Sequence, residues 1–433
     1  MTNDISLRAT VLEMLLLVFK EGKSAHLVLN DVLSKYAYLP KNERSFIKRL
    51  FTGTLERRYE LDYVINSISN TKTNKMKPVI VNILRMATYE IFYMDAVPDN
   101  ATCNEAVNLA GKRGFKNLKG FVNGVLRNII RQKELVSYPD INDFDDYMEV
   151  RYSIPRELTS ILLKDYKKEE IEAMGKASLT DRDVVIRVNT LKVSVEDYML
   201  QLEKAEVKAE IAELLKGALI IKGYNMIEDL PGYEDGLFYI QDISSMQAIE
   251  ALELKPGMKV IDVCASPGGK SMAAAIIMDN TGEIVSRDVS ENKVARMTEN
   301  VERMGLDIIK TEVHDALILD EDKVGKMDAV IADLPCSGIG VIAKKPDIKY
   351  NVNLKEVSEL SVLQEKILET VSKYVKNGGK LLFSTCTVTN AENVNNTQKF
   401  LSKHSDFALI QEKQILPNDV QDGFYYAVME RKI

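Results

Sequence analysis

Apolar positions recur at helical spacing from the start of the chain to about residue 135, as in ISLRATVLEMLLLVF and RSFIKRLFTGTLERRYELDYVI. That periodicity predicts a segment built from helices alone. Breaks fall near Tyr38-Leu39-Pro40, from Thr71 to Lys77, and at Pro98-Asp99-Asn100. After the last break, Thr102 followed three residues later by Glu105 predicts a helix start with a capping box. The acidic, proline-led stretch PDINDFDDYMEV (139–150) reads as a linker. Residues 151–235 mix short helices with strand-like runs such as VVIRVNTL and GALIIKG, which predicts a small α+β domain closed by Pro231-Gly232.

From residue 236 to 433 the pattern alternates. MKVIDVCA, EIVSRDV, IIKTEVHD, DAVIADL and KLLFSTC read as strands, with KSMAAAIIMD, NKVARMTENVERM, a long helix from about Leu354 to Val375, and NAENVNNTQKFLSKH as helices. GFYYAVMER closes the series as a terminal strand. Alternation of this kind predicts an α/β, Rossmann-like parallel sheet with helices on both faces. The expected organisation is therefore an all-α domain (1–138), the linker, a small α+β domain (151–235) and an α/β domain (236–433).

Composition narrows the chemistry. A chain of 433 residues, 45% hydrophobic and 28% charged, is a folded globular protein with material for several domains. No apolar run approaches the roughly 18–20 residues that span a bilayer: the run Met14 to Phe19 is flanked by Glu13 and Lys20. Asp4 and Glu13 also speak against a signal peptide, so a cytoplasmic protein without membrane contacts is expected. The four cysteines, at 103, 264, 336 and 386, form no CxxC pair, and His26, His314 and His404 are far apart in sequence. Neither a metal site nor a histidine-based triad is expected. Any chemistry falls to Cys, Asp, Lys or a cofactor.

The net charge of −7 hides an asymmetry. Residues 1–135 hold 21 basic and 13 acidic side chains, a balance of +8, while the remainder holds 36 and 51, a balance of −15. A polyanion-binding N-terminal module would account for this. Between Gly111 and Lys133 stand Lys112, Arg113, Lys116, Lys119, Arg127, Arg131 and Lys133 with no acid among them. A charge run alone more often marks a solvated face. The interleaved Gly and Asn of GFVNGVLRN suit close approach to a phosphate backbone.

In a doubly wound sheet the ligand lies beyond the carboxyl ends of the strands. The first of these strands runs out into Cys264, Ala265, Ser266, Pro267, Gly268, Gly269 and Lys270. Paired glycines and small residues permit a sharp turn and a ligand at the following helix start. A phosphate loop would need Gly where Cys264 stands, and no GxGxxG is present. Asp262, Asp288, Asp315 and Asp333 end four successive strands. A lone aspartate there is usually a turn former. Four in series favour a nucleoside-bearing cofactor with little phosphate, which suits S-adenosylmethionine better than NAD or ATP.

Cys336, in DLPCSG, and Cys386, in STCT, follow the fourth and fifth strands. Adjacent parallel strands would put both thiols over the cofactor end of the sheet, where a nucleophile belongs. Cys103 reads as a small buried hydrophobe, as does the thiol of Cys264. VIDVCASPGGKSM, DLPCSGIG with the following KKPDIKY, and STCTVTNAENV resemble motifs I, IV and VI of the RNA cytosine-C5 methyltransferases. GLFYIQDISSMQA and RVNTLK resemble segments that precede the catalytic domain there, and NATCNEAVNLA with GFVNGVLRNI resembles the NusB-like RNA-binding domain. The combination is similar to the bacterial 16S ribosomal RNA methyltransferases of the Sun/Fmu type across essentially the whole chain. Where that family has AAPGGKT and DAPCSGTG followed by an Arg-rich stretch ending in Trp, this chain has Ser266, Ser271, Leu334, Ile339, Ala343-Lys344-Lys345 and Tyr350.

The resemblance implies S-adenosylmethionine as cofactor and 16S ribosomal RNA, naked or in an early assembly intermediate, as partner; a monomer is expected. It implies Cys386 as the nucleophile at cytosine carbon 6, Asp333 at the cytosine edge near nitrogen 3, and Cys336 in release of the product. Lys270 would face the methionine part of the cofactor, unless it is a plain helix-start lysine. Lys344 and Lys345 join Lys112, Arg113, Lys116, Lys119, Arg127 and Arg131 as expected RNA contacts. Two other readings stand beside this one: a transfer-RNA cytosine-C5 methyltransferase, and an inactive RNA-binding assembly factor.

Overall fold

A computed structural model describes residues 6–212, 215, 217–224 and 226–433. The chain divides into two compact units, one formed by Met1–Thr180 with Ile342–Val352 and the other by Asp181–Val341 with Asn353–Ile433.

The first unit is helical: α1 (Leu7–Glu21), α2 (Ala25–Lys35), α3 (Lys41–Glu56), α4 (Arg58–Ile68), α5 (Pro78–Tyr93), α6 (Asp99–Lys112), α7 (Lys119–Gln132), α8 (Phe144–Tyr152), α9 (Arg156–Leu162) and α10 (Lys168–Ala177). Helix α5 starts on Pro78, whose missing N–H costs nothing in a first turn, and is buried at every position from Ile80 to Ile91. Its two buried charges are paired. Arg85 donates to Asp62 at 2.7 and 2.8 Å, and Glu90 accepts from Arg8 and from Thr102 Oγ1.

Thr102 is thus an interior residue. Helix α6 begins earlier, after Pro98, and the hydroxyl expected to cap it instead satisfies Glu90. The acidic stretch expected as a linker carries α8, which buries Phe144, Met148 and Val150. Asp145 and Asp146 sit in its first turn, at the positive end of the helix dipole. With α9 and α10 also in the helical unit, the division between the two compact units falls after Thr180.

The second unit opens with β1 (Val184–Val188), α11 (Val195–Lys204), β2 (Lys208–Ile211), β3 (Ala218–Lys222) and β4 (Phe238–Ile240), an antiparallel sheet in the order β2-β3-β1-β4. It continues through α12 (Ile243–Glu250), β5 (Lys259–Asp262), α13 (Gly269–Ile277), β6 (Glu283–Asp288), α14 (Glu291–Met304), β7 (Ile309–Val313) and β8 (Met327–Asp333). The chain then joins the helical unit for residues 342–352, which include α15 (Ile348–Asn351). It returns with α16 (Leu354–Val371), β9 (Val375–Thr385), α17 (Val394–Lys403), β10 (Phe407–Ile415) and β11 (Phe424–Arg431). The larger sheet runs β10-β11-β9-β8-β5-β6-β7, parallel from β9 to β7 and antiparallel across β9, β11 and β10. Its two faces carry separate cores: Val260, Ile284 and Ile331 lie on one, Ile261, Val285, Val330 and Phe383 on the other. This is the alternation expected of a strand buried on both sides. The terminal hairpin makes the sheet mixed, where a parallel one was expected.

The excursion is firmly seated in the helical unit. Tyr350 donates its hydroxyl to Leu55 O at 2.5 Å and sets its ring edge against Tyr59, 5.4 Å between centroids. Lys349, 1% exposed, donates Nζ to the carbonyls of Tyr152 (3.1 Å) and Glu56 (3.4 Å), and burial pushes its ammonium down to about 7.

Candidate active site

The turn after β5 is built from short backbone contacts. Ala265 N donates to Arg287 O and Gly268 N to Ala265 O, both at 2.7 Å. Gly268 takes φ +104°, a conformation that disfavours any side chain, and a Cβ there would lie 3.2 Å from Met297 Cγ. The next residue starts α13, so the turn lies at that helix's N-terminal N–H groups, a placement suited to a ligand. Gln241, just after β4, braces the turn by donating Nε2 to Gly269 O at 3.2 Å.

Of the four aspartates expected at strand ends, Asp262, Asp288 and Asp333 do end β5, β6 and β8, whereas Asp315 lies two residues past β7, and their surroundings differ. Asp262 is fully buried and accepts from Ser271 Oγ at 2.8 Å; burial raises its carboxyl to about 7. Asp315 accepts from Leu317 N at 2.9 Å, the bond of a turn former. Asp288, nearly buried at the end of β6, accepts from Ser290 N and lies 3.4 Å from Lys293 Nζ. Asp333 ends β8 opposite Ser384 of β9 and accepts from Ser384 Oγ at 2.8 Å. Its other oxygen takes Lys270 Nζ at 2.7 Å, and the same ammonium lies 5.0 Å from the Phe424 ring centre. Lys270 is therefore a nearly buried cation held at the sheet end, not a solvated helix-start lysine. A glycine turn at a helix start, a strand-end carboxylate at Asp288 and a fixed ammonium near a carboxylate fit a nucleoside with an amino-acid tail, as in S-adenosylmethionine. The Cys264 thiol is held well above its ordinary value by burial and neighbouring carboxylates.

Cys336 and Cys386 meet: their sulfurs are 3.2 Å apart. A hydrogen bond to Cys386, burial, and the negative charges around it hold Cys336 well above the ordinary thiol value. Their loops are stitched together by Gly340 N donating to Cys386 O at 3.1 Å and by Ser337 Oγ lying 2.7 Å from Thr387 Oγ1. Glu392, completely buried, accepts from Ser337 N (2.8 Å), Ser337 Oγ (2.6 Å), Thr389 Oγ1 (2.8 Å) and Gln364 Nε2 (3.3 Å). Ser337 and Glu392 are not among the site residues expected from the sequence; an acid in the segment just after a candidate nucleophile is the signal that marks Glu392.

The basic residues spread over the helical unit. Lys112, Lys116, Arg127 and Arg131 are exposed, whereas Arg113 pairs with Glu13 and Lys119 packs its stem near Gly111. Lys344 and Lys345 are exposed on the excursion that belongs to the same unit.

Residues 249–430 match the family described as 16S rRNA methyltransferase RsmB/F, residues 6–131 the NusB family, and residues 154–228 the ferredoxin-like domain of RsmF/B-like methyltransferases. Over 447 aligned residues the chain is 33% identical to the probable ribosomal RNA small subunit methyltransferase B of Bacillus subtilis, covering 99% of each. The chain belongs to the RsmB/F family of 16S rRNA methyltransferases. A second family member, ribosomal RNA small subunit methyltransferase B of Serratia proteamaculans, is 27% identical over 99% of each chain. Among solved structures, PH0851 superposes with a TM-score of 0.83 at 25% identity and 99% coverage of both chains. NSun6 from Pyrococcus horikoshii, solved with the S-adenosylmethionine analogue SFG, shares the fold over 65% of this chain and 99% of its own, with TM-score 0.60 and 22% identity. As an RsmB/F member the chain combines a NusB all-α domain, a ferredoxin-like domain and a methyltransferase domain with a mixed sheet.

Proposed function

We propose that the protein methylates carbon 5 of a cytosine in 16S ribosomal RNA through a covalent adduct between Cys386 and cytosine carbon 6. The observation that carries this reading is the 3.2 Å approach of the Cys336 and Cys386 sulfurs beside Asp333. Carbon 5 of cytosine is a poor nucleophile. Addition of the Cys386 thiolate to carbon 6 moves an electron pair toward carbon 5 and makes it enamine-like. Asp333, steadied by Lys270 and Ser384, bonds the cytosine edge near nitrogen 3 and favours that addition. S-adenosylmethionine, when bound, supplies an electrophilic methyl group. Residues 264–270 and Asp288 would hold it, with Asp315 and Asp333 nearby. After carbon 5 has gained the methyl group, its proton leaves to a base, the carbon–sulfur bond breaks, and the ring is restored. The protonated Cys336 donates to the departing Cys386 sulfur and so assists release.

The target base must leave any stack to reach this site, so a loop or bulge is the fitting substrate. Lys112, Arg113, Lys116, Lys119, Arg127, Arg131, Lys344 and Lys345 would contact the phosphate backbone. The test is incubation with labelled S-adenosylmethionine and either unmodified 16S ribosomal RNA or a transfer-RNA pool. Label in 5-methylcytosine of 16S RNA, lost in Cys386→Ala, supports the reading. Label in transfer RNA overturns the substrate, and undiminished label with Cys386→Ala overturns the mechanism.

A further inference from the structure

The two cysteine loops leave the paired strands β8 and β9, and beyond the Gly340–Cys386 and Ser337–Thr387 contacts they share one buried carboxylate, Glu392. Both of its oxygens accept twice: Oε1 from Ser337 N and Gln364 Nε2, Oε2 from Ser337 Oγ and Thr389 Oγ1. A buried carboxylate with four donors is fully satisfied and correspondingly rigid. Ser337 donates its hydroxyl to Glu392, and a hydroxyl has one proton to give. The 2.7 Å contact with Thr387 then runs from the Thr387 hydroxyl to Ser337 Oγ. A directed relay, Thr387 to Ser337 to Glu392, thus joins the residue after Cys386 to the residue after Cys336.

We infer that Glu392 is a positioning residue whose carboxylate ties the Cys336 loop to the Cys386 loop and sets the sulfur–sulfur separation on which their separate roles depend. This rests on the reading of those cysteines given above. The charge of Glu392 has a second effect. It is one of the influences that keep Cys336 protonated, after the hydrogen bond to Cys386 and burial.

Glu392→Gln and Glu392→Ala separate the two effects. Glutamine keeps an acceptor for Ser337 N, and the hydroxyl relay can reverse to meet its amide, so the geometry survives while the charge is lost. Alanine removes both. Each protein is treated with iodoacetamide from pH 6 to 10, with alkylation at Cys336 and Cys386 read by mass spectrometry. S-adenosylmethionine affinity and the kcat and KM of methyl transfer are measured alongside. Glu392→Gln is expected to keep its cofactor affinity while Cys336 alkylation sets in at lower pH than in the wild type. Glu392→Ala is expected to lose on the order of 10²-fold in kcat, the usual effect of about 1 Å of misplacement, with both KM values little changed. Should the alanine protein not fold, Ser337→Ala, which removes the hydroxyl that links Thr387 to Glu392, takes its place. An unaltered kcat in Glu392→Ala, or in Ser337→Ala if that replaces it, overturns the inference, and a Cys336 profile in Glu392→Gln identical to the wild type overturns the charge effect. Failure of the cysteine assignment shows elsewhere, in a Cys386→Ala protein that still methylates RNA.

Discussion

Gly340 packs against the backbone of two other segments beside Cys386, and Gly340→Ala gives the sharpest mutational prediction. A Cβ built there would lie 2.1 Å from Gly423 O, 2.6 Å from Gly423 C and 2.8 Å from Cys386 O. Ordinary contact begins at 3.4 Å, so the segments must part by about 3.4 − 2.1 = 1.3 Å. All three atoms are backbone, and no rotamer change relieves the clash. The separation breaks the hydrogen bonds Gly340 N to Cys386 O (3.1 Å) and Gly423 N to Gly340 O (2.8 Å). At about 1 kcal/mol for each bond and about 1–3 kcal/mol for overpacking, the loss of stability is about 3–5 kcal/mol. The Cys386 loop moves with it, and methyl transfer should fall on the order of 10²-fold. Thermal unfolding and a labelled-methyl assay read the two effects. The control is Gly124→Ala on α7, where a Cβ meets nothing within 4 Å and helix propensity should add up to about 1 kcal/mol. A Gly340→Ala protein as stable as Gly124→Ala and as active as the wild type would refute the reasoning.

Asp262→Asn tests the buried acid at the end of β5. Burial raises its carboxyl to about 7, above the unfolded value of 3.8, so between those limits the folded state binds the extra proton and stability falls as pH rises. The variant should outperform the wild type by about 3 kcal/mol more at pH 8 than at pH 5, from two pH units at about 1.4 kcal/mol each; a pH-independent gap would contradict this. Tyr350→Ala removes a ring packed on Tyr59 and a hydroxyl bonded to Leu55 O, and should destabilise the helical unit by about 3–5 kcal/mol in denaturant unfolding. Cofactor affinity measured by calorimetry should be unchanged in that variant.

What the sequence disclosed follows from local physics. The strands that end in Asp262, Asp288 and Asp333 are short apolar runs between helix signals, and the glycine turn after Asp262 needs no partner to be recognised. The proximity of Cys336 and Cys386 was legible because adjacent parallel strands bring their ends together. Three features were hidden because distant partners create them. Strand β10 carries Gln411, Glu412 and Lys413 in an exposed edge and is a strand only by pairing with β11. Helix α8 reads as an acidic linker until the burial of Phe144 and Met148 is known. Residues 342–352 look like the tail of a catalytic motif, yet Asp347, Lys349 and Tyr350 bond Ala25, Tyr152 and Leu55 of the helical unit. Glu392 belongs with these, since its four donors come from three separate segments.

The central claim is that Cys386 attacks the base and Cys336 lets it go. Cys336→Ala, incubated with unmodified 16S ribosomal RNA and S-adenosylmethionine, should accumulate a denaturant-stable protein–RNA adduct. Nuclease digestion and mass spectrometry should locate a methylated cytidine on Cys386, and the double variant with Cys386→Ala should form none. Normal turnover by Cys336→Ala without adduct, or an adduct attached to any other residue, would contradict the account.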